Sequence, residues 1–350
     1  MPKFSIILPV YNVEKYLKEC LNSLVNQTFT DFEAICINDG STDNSLEILN
    51  EYANKDCRFK VFSQENQGQG VARNYAIDIA TGDYLLFVDP DDYIDLNALE
   101  LINNQLQQAD VDIVHFDFYQ FKDGSINENE ITFYDEARKQ LNFNVENGMV
   151  YAWNKLDKAD ILSIPRAVWN RAYSLKFIKS NNIKFAPNRN GEDHIFSISA
   201  MLLAKRILYF HKALYHYRLR EGSAVRVVSD ENFCVFDNAK LIKTYLEEHN
   251  FYKRYKIPFR KYQIKLFYWH SRGIPEESFD KYLKCCKKML SQADYNDFLN
   301  EIKLKNSFLE NIFSVKNKKF CGKKVKQITI LGWKIDLNKI NNKGEGCVKG

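Results

Sequence analysis

The sequence contains no apolar run that approaches the roughly 18 residues required by a membrane-spanning helix. Its first residues enter a predicted strand directly, without the hydrophobic stretch that a secretory signal peptide carries. Internal repeats and low-complexity segments are also missing. These absences disfavour an integral membrane protein and a secreted protein, so we expect a cytoplasmic globular protein.

The eight cysteines form no CxxC pair and show no spacing typical of a metal site. Several of them lie within apolar patterns, which indicates reduced core residues of a cytosolic protein rather than disulfides. The cysteines are Cys20, Cys36, Cys57, Cys234, Cys285, Cys286, Cys321 and Cys347.

Length and composition predict a folded chain with an uneven charge. Its 350 residues, 45% hydrophobic and 27% charged, suffice for one large domain with an appendage or for two domains. Residues 1–227 hold 24 Lys/Arg and 31 Asp/Glu, a net −7, whereas residues 228–350 hold 25 and 14, a net +11. A basic C-terminal part suits an anionic membrane or nucleic acid, while lysines in solvent explain it equally well. Of the two partners we expect an anionic membrane surface and no nucleic acid.

Strand and helix patterns alternate through the first 90 residues. Short apolar runs predict four strands, and segments with apolar residues at helical spacing separate them, as at Leu17, Leu21 and Leu24. This β-α-β-α-β-α-β order is typical of a mostly parallel sheet with helices on both faces, where ligands bind at the carboxyl ends of the strands. The predicted strands cover residues 4–9, 33–39, 60–65 and 84–89.

Beyond residue 90 the pattern is less regular. We predict a helix around Leu99, a strand at 111–121, and polar loops with a hairpin at 122–165. From about Val228 the apolar residues again recur at helical spacing, and the last residues are mostly Lys, Asn and Gly. The predicted parts of the chain are residues 1–228, a helical region at 229–315 and a basic tail at 316–350.

The segment FVDPDDY delivers three carboxylates from an apolar strand to a single loop, namely Asp89, Asp91 and Asp92. Crowded like charges are costly unless a cation or hydrogen-bond donors offset them. Because all the ligands are hard oxygens, we predict Mg²⁺ or Mn²⁺, held by one or two carboxylates together with substrate phosphates. An acidic turn that caps a helix explains this segment equally well when it is taken alone.

Two further loops follow predicted strands and suit a nucleotide. Asp39 ends the second strand in INDGSTD, where its carboxylate can accept a hydrogen bond from a base N–H. A turn or helix-cap aspartate is the simpler explanation of that residue alone. Pro9, Tyr11 and Asn12 belong to PVYN after the first strand, in which Tyr11 offers a ring for base stacking and Asn12 a helix cap.

Arg73, in QGQGVARN, lies on a predicted helix whose neighbouring side chains are small. Its guanidinium could reach a diphosphate, although a solvated helix arginine is the simpler explanation of the residue alone. Gly68 and Gly70 resemble a phosphate-binding loop only loosely.

These motifs occur together and in order, and in this the sequence resembles the family 2 glycosyltransferases with the GT-A fold. The resemblance covers about residues 3–225 and is to the bacterial members that build surface polysaccharides and lipooligosaccharides. It implies an α/β fold with a Rossmann-like, mixed and mostly parallel sheet and helices on both faces, followed here by the C-terminal helical region.

The resemblance implies a role for each residue on the nucleotide side. In that family PVYN and INDGSTD line the uridine site, so Asp39 would read uracil and Tyr11 would lie against the base. Arg73 matches an arginine near the diphosphate. Asp89 matches a residue near the ribose or the sugar, and Asp91 matches the metal ligand of the family's DxD signature.

Other matches extend the implied metal site. Asp92 shares the acidic cluster with Asp91 and Asp89 and is a further candidate ligand, and His216 is a possible one. Position 90 is Pro, where many members carry Ser, but both aspartates of the signature are retained.

The acceptor side is implied by two later segments. GEDHIF matches the family's ED motif, so Asp193 would be the catalytic base and Glu192 would face the acceptor. Trp169 and Asn170, in VWNR, match an acceptor-side segment. The tryptophan could pack under the sugar or in the core, and the sequence favours neither position.

The implied reaction transfers a hexose or N-acetylhexosamine from a UDP-sugar to a hydroxyl of a saccharide or glycolipid acceptor. A divalent cation and Arg73 would stabilise the charge that develops on the leaving diphosphate. Asp193 would take the proton of the attacking hydroxyl, and one base with in-line attack inverts the anomeric centre.

Two other functions fit much of the same pattern. A polyprenyl-phosphate glycosyltransferase shares the N-terminal motifs, but the absence of spanning segments and the presence of the ED motif disfavour it. A non-catalytic nucleotide-sugar-binding or assembly protein would not need every carboxylate that the sequence retains.

The basic tail at 316–350 holds ten lysines against Asp336 and Glu345, and KKVKQITILGWKI sets Trp333 and apolar residues between lysines. This composition favours peripheral binding at the inner face of the cytoplasmic membrane. An equally good explanation is that ITILGWKI forms a short strand or hairpin packed on the catalytic domain, with its lysines in solvent.

Overall fold

The fold is seen in a computed structural model of the chain. The structure describes residues 1–125, 128–131, 147–148, 150–152, 162, 167–187, 191–220, 228–320, 323–330 and 333–336. Strands and helices alternate through the first part of these ranges, and helices dominate from residue 228 to residue 312.

The elements are numbered along the chain. The strands of the main sheet are β1 (Phe4–Val10), β2 (Phe32–Asp39), β3 (Phe59–Gln64), β4 (Tyr84–Phe87), β5 (Tyr93–Ile94), β6 (Ile113–Lys122), β7 (Glu128–Ile131), β8 (Val150–Tyr151), β9 (Arg171–Ser174) and β10 (Ile207–Leu219). The helices packed on this sheet are α1 (Glu14–Val25), α2 (Ser45–Lys55), α3 (Gln69–Ile79), α4 (Ala98–Gln108), α5 (Leu175–Ser180) and α6 (Asp193–Leu203). A short 3-10 helix (Asp230–Phe233) then leads into α7 (Cys234–Glu248), α8 (Tyr252–Ser271), α9 (Glu276–Met289) and α10 (Gln292–Ile312).

The predicted β-α-β-α-β-α-β order is confirmed, although the strand predicted at 84–89 ends at Phe87. The N–H of Val88 still donates to the Ile7 carbonyl at 3.0 Å, and the chain then turns, with the N–H of Asp92 donating to the Asp89 carbonyl at 3.0 Å. The carboxylates of the DPDD segment therefore lie on a loop rather than in the sheet.

The main sheet is mixed and mostly parallel. Its strand order is β3-β2-β1-β4-β9-β6-β10-β5, with β7 paired to β6 and β8 paired to β10. β9 lies between β4 and β6 and is antiparallel to both, so β4 and β6 run in the same direction. β10 is parallel to β6, and β1 and β2 are parallel to β4, so all five strands share one direction. The carboxyl ends of these five strands consequently meet at one edge.

The strand predicted at 111–121 is β6, and β7 pairs with it antiparallel, so only the second strand of this hairpin lies within 122–165. Most of the remaining residues of that segment lie outside the described residues.

Apolar side chains form a core on each face of the sheet. β1 is buried along its whole length, as the continuous apolar run of a central parallel strand predicts. Its Ile7 belongs to the core that contains residues of α3 and α6, while Ile6 and Leu8 belong to the core formed with α1 and α2.

The C-terminal helices extend the first of these cores. Phe236 of α7, Phe259 of α8 and Tyr282 of α9 belong to the same continuous cluster of buried side chains as Phe196 of α6. The region that follows residue 228 is therefore packed against the sheet domain instead of being linked loosely to it.

Residues 313–336 contain a second sheet, an antiparallel meander of β11 (Phe313–Phe320), β12 (Lys323–Ile330) and β13 (Trp333–Asp336). This meander contacts α10. The strand predicted in ITILGWKI is thus present, beside a helix of the C-terminal region. Residues 337–350 lie outside the described residues.

Two expectations from composition can be compared with the structure. Across the described part of the chain, no helix is both long and apolar enough to cross a membrane. Cys20, Cys36 and Cys286 are free and buried, as predicted, whereas Cys57 is free but exposed. Cys321 and Cys347 lie outside the described residues.

Candidate functional site

The loops that follow β1 and β2 are joined by side-chain hydrogen bonds at the carboxyl edge of the sheet. Asn12 Oδ1 accepts from the Thr42 N–H at 2.7 Å, and the Asn12 N–H donates to the Ser41 hydroxyl at 3.2 Å. Asn12 has a φ of 46°, a left-handed conformation that asparagine tolerates. Pro9 is a buried residue of β1 itself, whereas Tyr11 is exposed, so its ring is accessible to a ligand.

Asp39 ends β2, and its buried carboxylate organises the loop after β3. One oxygen accepts from the Gln67 N–H at 2.9 Å and from the Gln64 side-chain amide at 2.8 Å, and the other accepts from the Gly68 N–H at 2.8 Å. Gly68 has a φ of 93°, which glycine adopts readily and other residues do not. Since a carboxylate has roughly four acceptor positions, the contacts within the described ranges leave one for a ligand N–H.

Asp92 is an internal anchor of the loop after β4. One of its buried oxygens accepts from the Arg218 N–H at 2.8 Å and the other from the Tyr215 hydroxyl at 2.7 Å. Burial, and then the charges of Asp91 and Asp89, raise the pKa of Asp92 well above its ordinary value. Because both of its oxygens are buried and bonded within the protein, we set Asp92 aside as a candidate metal ligand, although the sequence predicted it as one.

Asp91 lies on the accessible side of the same loop. Its Oδ2 accepts from Arg220 Nε at 2.5 Å. Nε of Arg218 donates to the Asp91 carbonyl at 2.8 Å, and the Arg218 guanidinium pairs with Glu19 of α1 and with Asp123. Arg218, near the end of β10, thus holds the loop that carries Asp89, Asp91 and Asp92, here called the acidic loop, against α1.

Arg73 connects the acidic loop with the start of α6. Its guanidinium donates to Asp89 Oδ1 at 2.7 Å and to Glu192 Oε1 at 2.8 Å, and it lies 5.2 Å from the ring centroid of Phe185. The side chain is buried, so the interpretation as a solvated helix arginine is wrong. Its contact with a diphosphate stays a prediction.

Glu192 and Asp193 stand where α6 begins, and α3 packs closely against them. A Cβ on Gly70 of α3 would lie 2.5 Å from the Ala186 carbonyl oxygen and 2.9 Å from Glu192 Cγ. Glu192 is buried, whereas the Asp193 side chain is 29% exposed. Asp193 is also the first residue of α6, where the helix dipole favours an ionised carboxylate. Of the pair, Asp193 is the more exposed to solvent.

The buried cluster around Arg73 carries more acid than base. Burial, and then the charge of Asp193, raise the pKa of Glu192 to about 8, although Arg73 acts in the opposite direction. Burial also raises the pKa of Asp89, again against the effect of Arg73. At both carboxyl groups, burial therefore outweighs the effect of the single guanidinium.

Folding stability is expected to depend on the raised pKa of Glu192. The folded chain keeps Glu192 protonated up to a pH of about 8, whereas an unfolded glutamate releases its proton near 4.5. The stabilisation that protonation provides is complete below pH 4.5 and is lost as the pH rises towards 8. Urea unfolding of the metal-free protein should show this decline, and Glu192→Gln should flatten it. A matched surface variant, Glu248→Gln, should show the same decline of the free energy of unfolding with pH as the unmodified protein. If Glu192→Gln also showed that decline unchanged, Glu192 would not be its cause.

Replacing Arg73 by lysine is expected to destabilise the fold by about 2 kcal/mol, because an ammonium keeps the charge but loses one of the two charged hydrogen bonds. Chemical denaturation measures this difference. Arg206→Lys, at an exposed position, should change the free energy of unfolding by less than about 0.5 kcal/mol. Equal stability of the two variants would show that the bridge to Asp89 and Glu192 does not stabilise the fold.

Trp169 and Asn170 lie inside the fold. The Trp169 ring is buried and stacks on the rings of Tyr215 and Tyr217, with centroid separations of 4.4 and 5.2 Å. The Asn170 amide is also buried and donates to the Phe116 carbonyl at 3.3 Å. The structure therefore favours core packing for the tryptophan over a position beneath the sugar.

His216 has partners other than the acidic loop. Its Nε2 lies 2.8 Å from Asp95 Oδ1, and its ring stacks on those of Tyr93 and Tyr119 at centroid distances of 4.3 and 4.9 Å. Among the described residues, no three His, Cys, Asp or Glu side chains are grouped so that they could hold a metal ion. The structure thus does not bring His216 to the candidate metal ligands.

Asp89 and Asp91 remain as the candidate metal ligands. Their side chains are 22% and 20% exposed, and in the described part of the chain each uses one oxygen for an ion pair, with Arg73 and Arg220 respectively. Such a donor set fits Mg²⁺ or Mn²⁺, which bind through one or two carboxylates and complete their coordination with phosphates and water.

Two residues that position the site were not indicated by the sequence pattern. The Tyr215 hydroxyl donates to Asp92 and accepts from the Asp89 N–H at 3.1 Å, and the Gln64 amide supports Asp39. Gln64 is the last residue of β3, and this position alone is a signal in a parallel sheet. Tyr215 lies within β10 among other aromatic residues and has no such signal.

Known bacterial proteins resemble this chain in sequence. The family model described as Glycosyl transferase family 2 matches residues 5–166. Glycosyltransferase GlyG of Streptococcus pneumoniae is 33% identical over 236 residues, which cover 65% of this chain and 74% of GlyG. Glycosyltransferase GlyA of the same species is 33% identical over 237 residues, covering 65% of this chain but 32% of GlyA. The chain therefore spans about a third of the length of GlyA.

A third relative is known in sequence and in structure. The poly(ribitol-phosphate) beta-N-acetylglucosaminyltransferase TarS of Staphylococcus aureus is 33% identical over 243 residues, covering 67% of this chain and 39% of TarS. The crystal structure of S. aureus TarS 1–349 in complex with UDP-GlcNAc matches with a TM-score of 0.58 and 22% identity, over 93% of this chain and 96% of that chain. This likeness confirms the predicted GT-A fold. Together with the sequence matches, it shows that the chain is a member of glycosyl transferase family 2.

Proposed function

We propose that the chain transfers a hexose or N-acetylhexosamine from a UDP-sugar to a hydroxyl of a bacterial surface glycan, with inversion at the anomeric carbon. The observation that carries the proposal is the Arg73 bridge, which joins Asp89 of the acidic loop to Glu192 at the start of α6. Carboxylates suited to the donor and to the acceptor are thereby held at one edge of the sheet, as transfer between two bound substrates requires.

The uridine would bind at the loops after β1 and β2. Tyr11 offers an exposed ring for stacking, and Asp39 has an acceptor position left for a base N–H. TarS, whose fold this chain shares, is known in complex with UDP-GlcNAc, which supports a UDP-sugar as donor.

The diphosphate would bind beside Asp89 and Asp91. These residues would hold Mn²⁺ or Mg²⁺, which when bound neutralises the diphosphate and stabilises the charge of the leaving group. Arg73 keeps the Asp89 carboxylate in place, and Arg220 does the same for Asp91 while adding positive charge on the leaving-group side.

Asp193 would act as the general base. Its partly exposed carboxylate, at the first turn of α6, would accept the proton of the acceptor hydroxyl as that hydroxyl attacks the anomeric carbon. Glu192, buried and bound to Arg73, would hold the start of α6 in position on the acceptor side. One base on the face opposite the leaving group gives inversion.

The acceptor would be a hydroxyl-rich saccharide, glycolipid or polyol polymer. TarS acts, by its name, on poly(ribitol-phosphate), and this supports a surface polymer as the class of acceptor.

A panel of UDP-sugars tests the proposal with the purified protein. We expect metal-dependent hydrolysis of one or a few UDP-sugars, stopped by EDTA and diverted to transfer when a saccharide acceptor is added. Binding of UDP without turnover of any donor would favour a non-catalytic module instead. Transfer to a polyprenyl phosphate in place of a saccharide hydroxyl would overturn the acceptor assignment.

A further inference from the structure

The outer face of helix α8 (Tyr252–Ser271) is positively charged and carries no compensating acid of its own. The helix contains six Lys or Arg residues and no Asp or Glu. Of these, Arg260 is neutralised by Asp294, with Nη2 and Oδ1 2.7 Å apart. On the neighbouring α7, Glu247 pairs with Lys243 at 3.5 Å. Lys261 and Lys265 are exposed and give this face a positive charge.

Apolar side chains are exposed on the same face. Ile257, Lys261, Lys265 and Trp269 follow one another at intervals of four residues, so they form one stripe along the helix, and all four are exposed. Ile257 is 64% exposed and Trp269 is 53% exposed. Arg272, just after the helix, places its guanidinium 5.2 Å from the Trp269 ring centroid.

This stripe is not the core-facing side of the helix. Tyr255, Phe259, Tyr262 and Leu266 are buried on the other side, within the core that reaches α6. The apolar residues of the outer stripe are thus additional to those that hold α8 in the fold. Leaving a large apolar side chain such as tryptophan in water has a cost that a partner surface would remove.

We propose that this face of α8 rests on an anionic lipid membrane. Lysines at a membrane surface are attracted by anionic headgroups, and tryptophan prefers the boundary between headgroups and acyl chains. A soluble polyanion would explain the lysines but not the exposed Ile257 and Trp269, which a lipid boundary accommodates. On the inner side of α8, the Tyr262 hydroxyl lies 2.8 Å from His194 Nδ1, so α8 is joined to the start of α6 by a hydrogen bond.

Sedimentation of the full chain with lipid vesicles tests this proposal. We expect binding to vesicles that contain phosphatidylglycerol, weakening with salt, and little binding to pure phosphatidylcholine vesicles. The pair Lys261→Glu with Lys265→Glu should lower the vesicle affinity by at least about tenfold. Trp269→Ala should lower it several-fold while leaving its salt dependence unchanged, because no charge is lost.

A matched control is available on α9. Lys284→Glu with Lys288→Glu makes the same change of charge at the same spacing on exposed positions of a neighbouring helix, and it should lower the affinity far less. Equal losses for the two pairs would show that net charge, not this face, attracts the vesicles. If the α8 variants bound vesicles as tightly as the unmodified chain, the contact would lie elsewhere, such as at residues 316–350, and the proposal would be overturned.

Two further readouts separate a membrane contact from binding to a soluble polymer and from a change in catalysis. Binding of polyphosphate in solution, without binding to vesicles, would identify a soluble polymer as the partner and contradict a membrane. Hydrolysis of a UDP-sugar measured without vesicles should be the same in the α8 variants and in the parent. A failure of vesicle binding is therefore distinguishable from a failure of the proposed transferase activity.

Discussion

Asp193→Asn is expected to lower the turnover number by roughly 100-fold or more while the affinity for the UDP-sugar stays within a few-fold, which is the scale of losing a general base. The reason is local. Asp193 is partly exposed at the first turn of α6, whereas the buried Glu192 beside it is bound to Arg73. An amide at position 193 keeps the shape of the side chain but cannot accept the proton of the acceptor hydroxyl.

Single-turnover kinetics with a saccharide acceptor, together with calorimetric titration of the donor, would measure the two effects separately. Asp237→Asn, on the exposed surface of α7, makes the same chemical change and should leave both values unaltered. If donor binding collapses in Asp193→Asn while transfer from bound donor continues, Asp193 belongs to the nucleotide site.

Asp91→Ala is expected to abolish turnover and to remove the dependence of UDP binding on Mn²⁺ or Mg²⁺. Asp91 is one of two accessible carboxylates on the acidic loop, and without it Asp89 alone would have to hold the cation. The diphosphate would then lack most of the charge neutralisation that a divalent ion supplies. Titrations of UDP with and without EDTA measure the loss directly.

Asp92→Asn is the matched control for this prediction. Its side chain is buried between the Arg218 N–H and the Tyr215 hydroxyl. An asparagine keeps the acceptor for the Arg218 N–H, while its amide N–H would donate to the Tyr215 oxygen instead of accepting from that hydroxyl. Metal dependence should therefore survive in Asp92→Asn and disappear in Asp91→Ala. Activity of Asp91→Ala that resists EDTA would disprove the metal assignment.

The first half of the fold could be predicted because each element there has a local signal of its burial. β1 is covered on both faces and is apolar throughout, and α1 buries Leu17, Leu21 and Leu24 at helical spacing. Such patterns depend on neighbours along the chain and need no knowledge of distant contacts.

β9 and β10 could not be predicted in the same way. β9 has four residues, one of them the buried Arg171, and its position is decided by pairing with the distant strands β4 and β6. β10 contains irregularities between Phe210 and Tyr215 that interrupt the alternation of its side chains. The pairing partners, which the local sequence does not reveal, determine both strands.

The candidate site was predictable in its residue types but not in their environments. Asp91 and Asp92 are adjacent and chemically identical, yet Tyr215 and Arg218, at 123 and 126 positions from Asp92, make one of them an anchor. Arg73 likewise owes its burial partly to Glu192, 119 positions away. Tertiary contacts of this range decide which carboxylate is accessible, and a motif alone cannot indicate them.

The position of β9 between β4 and β6 also constrains how the chain folds during synthesis. β4 and β6 leave the ribosome well before residues 171–174, so until then each has an edge that lacks its native partner. Closing the sheet requires a late strand to enter between two earlier ones, which is a slow, long-range step. A nascent chain that pauses before residue 171 would expose both edges to intermolecular pairing.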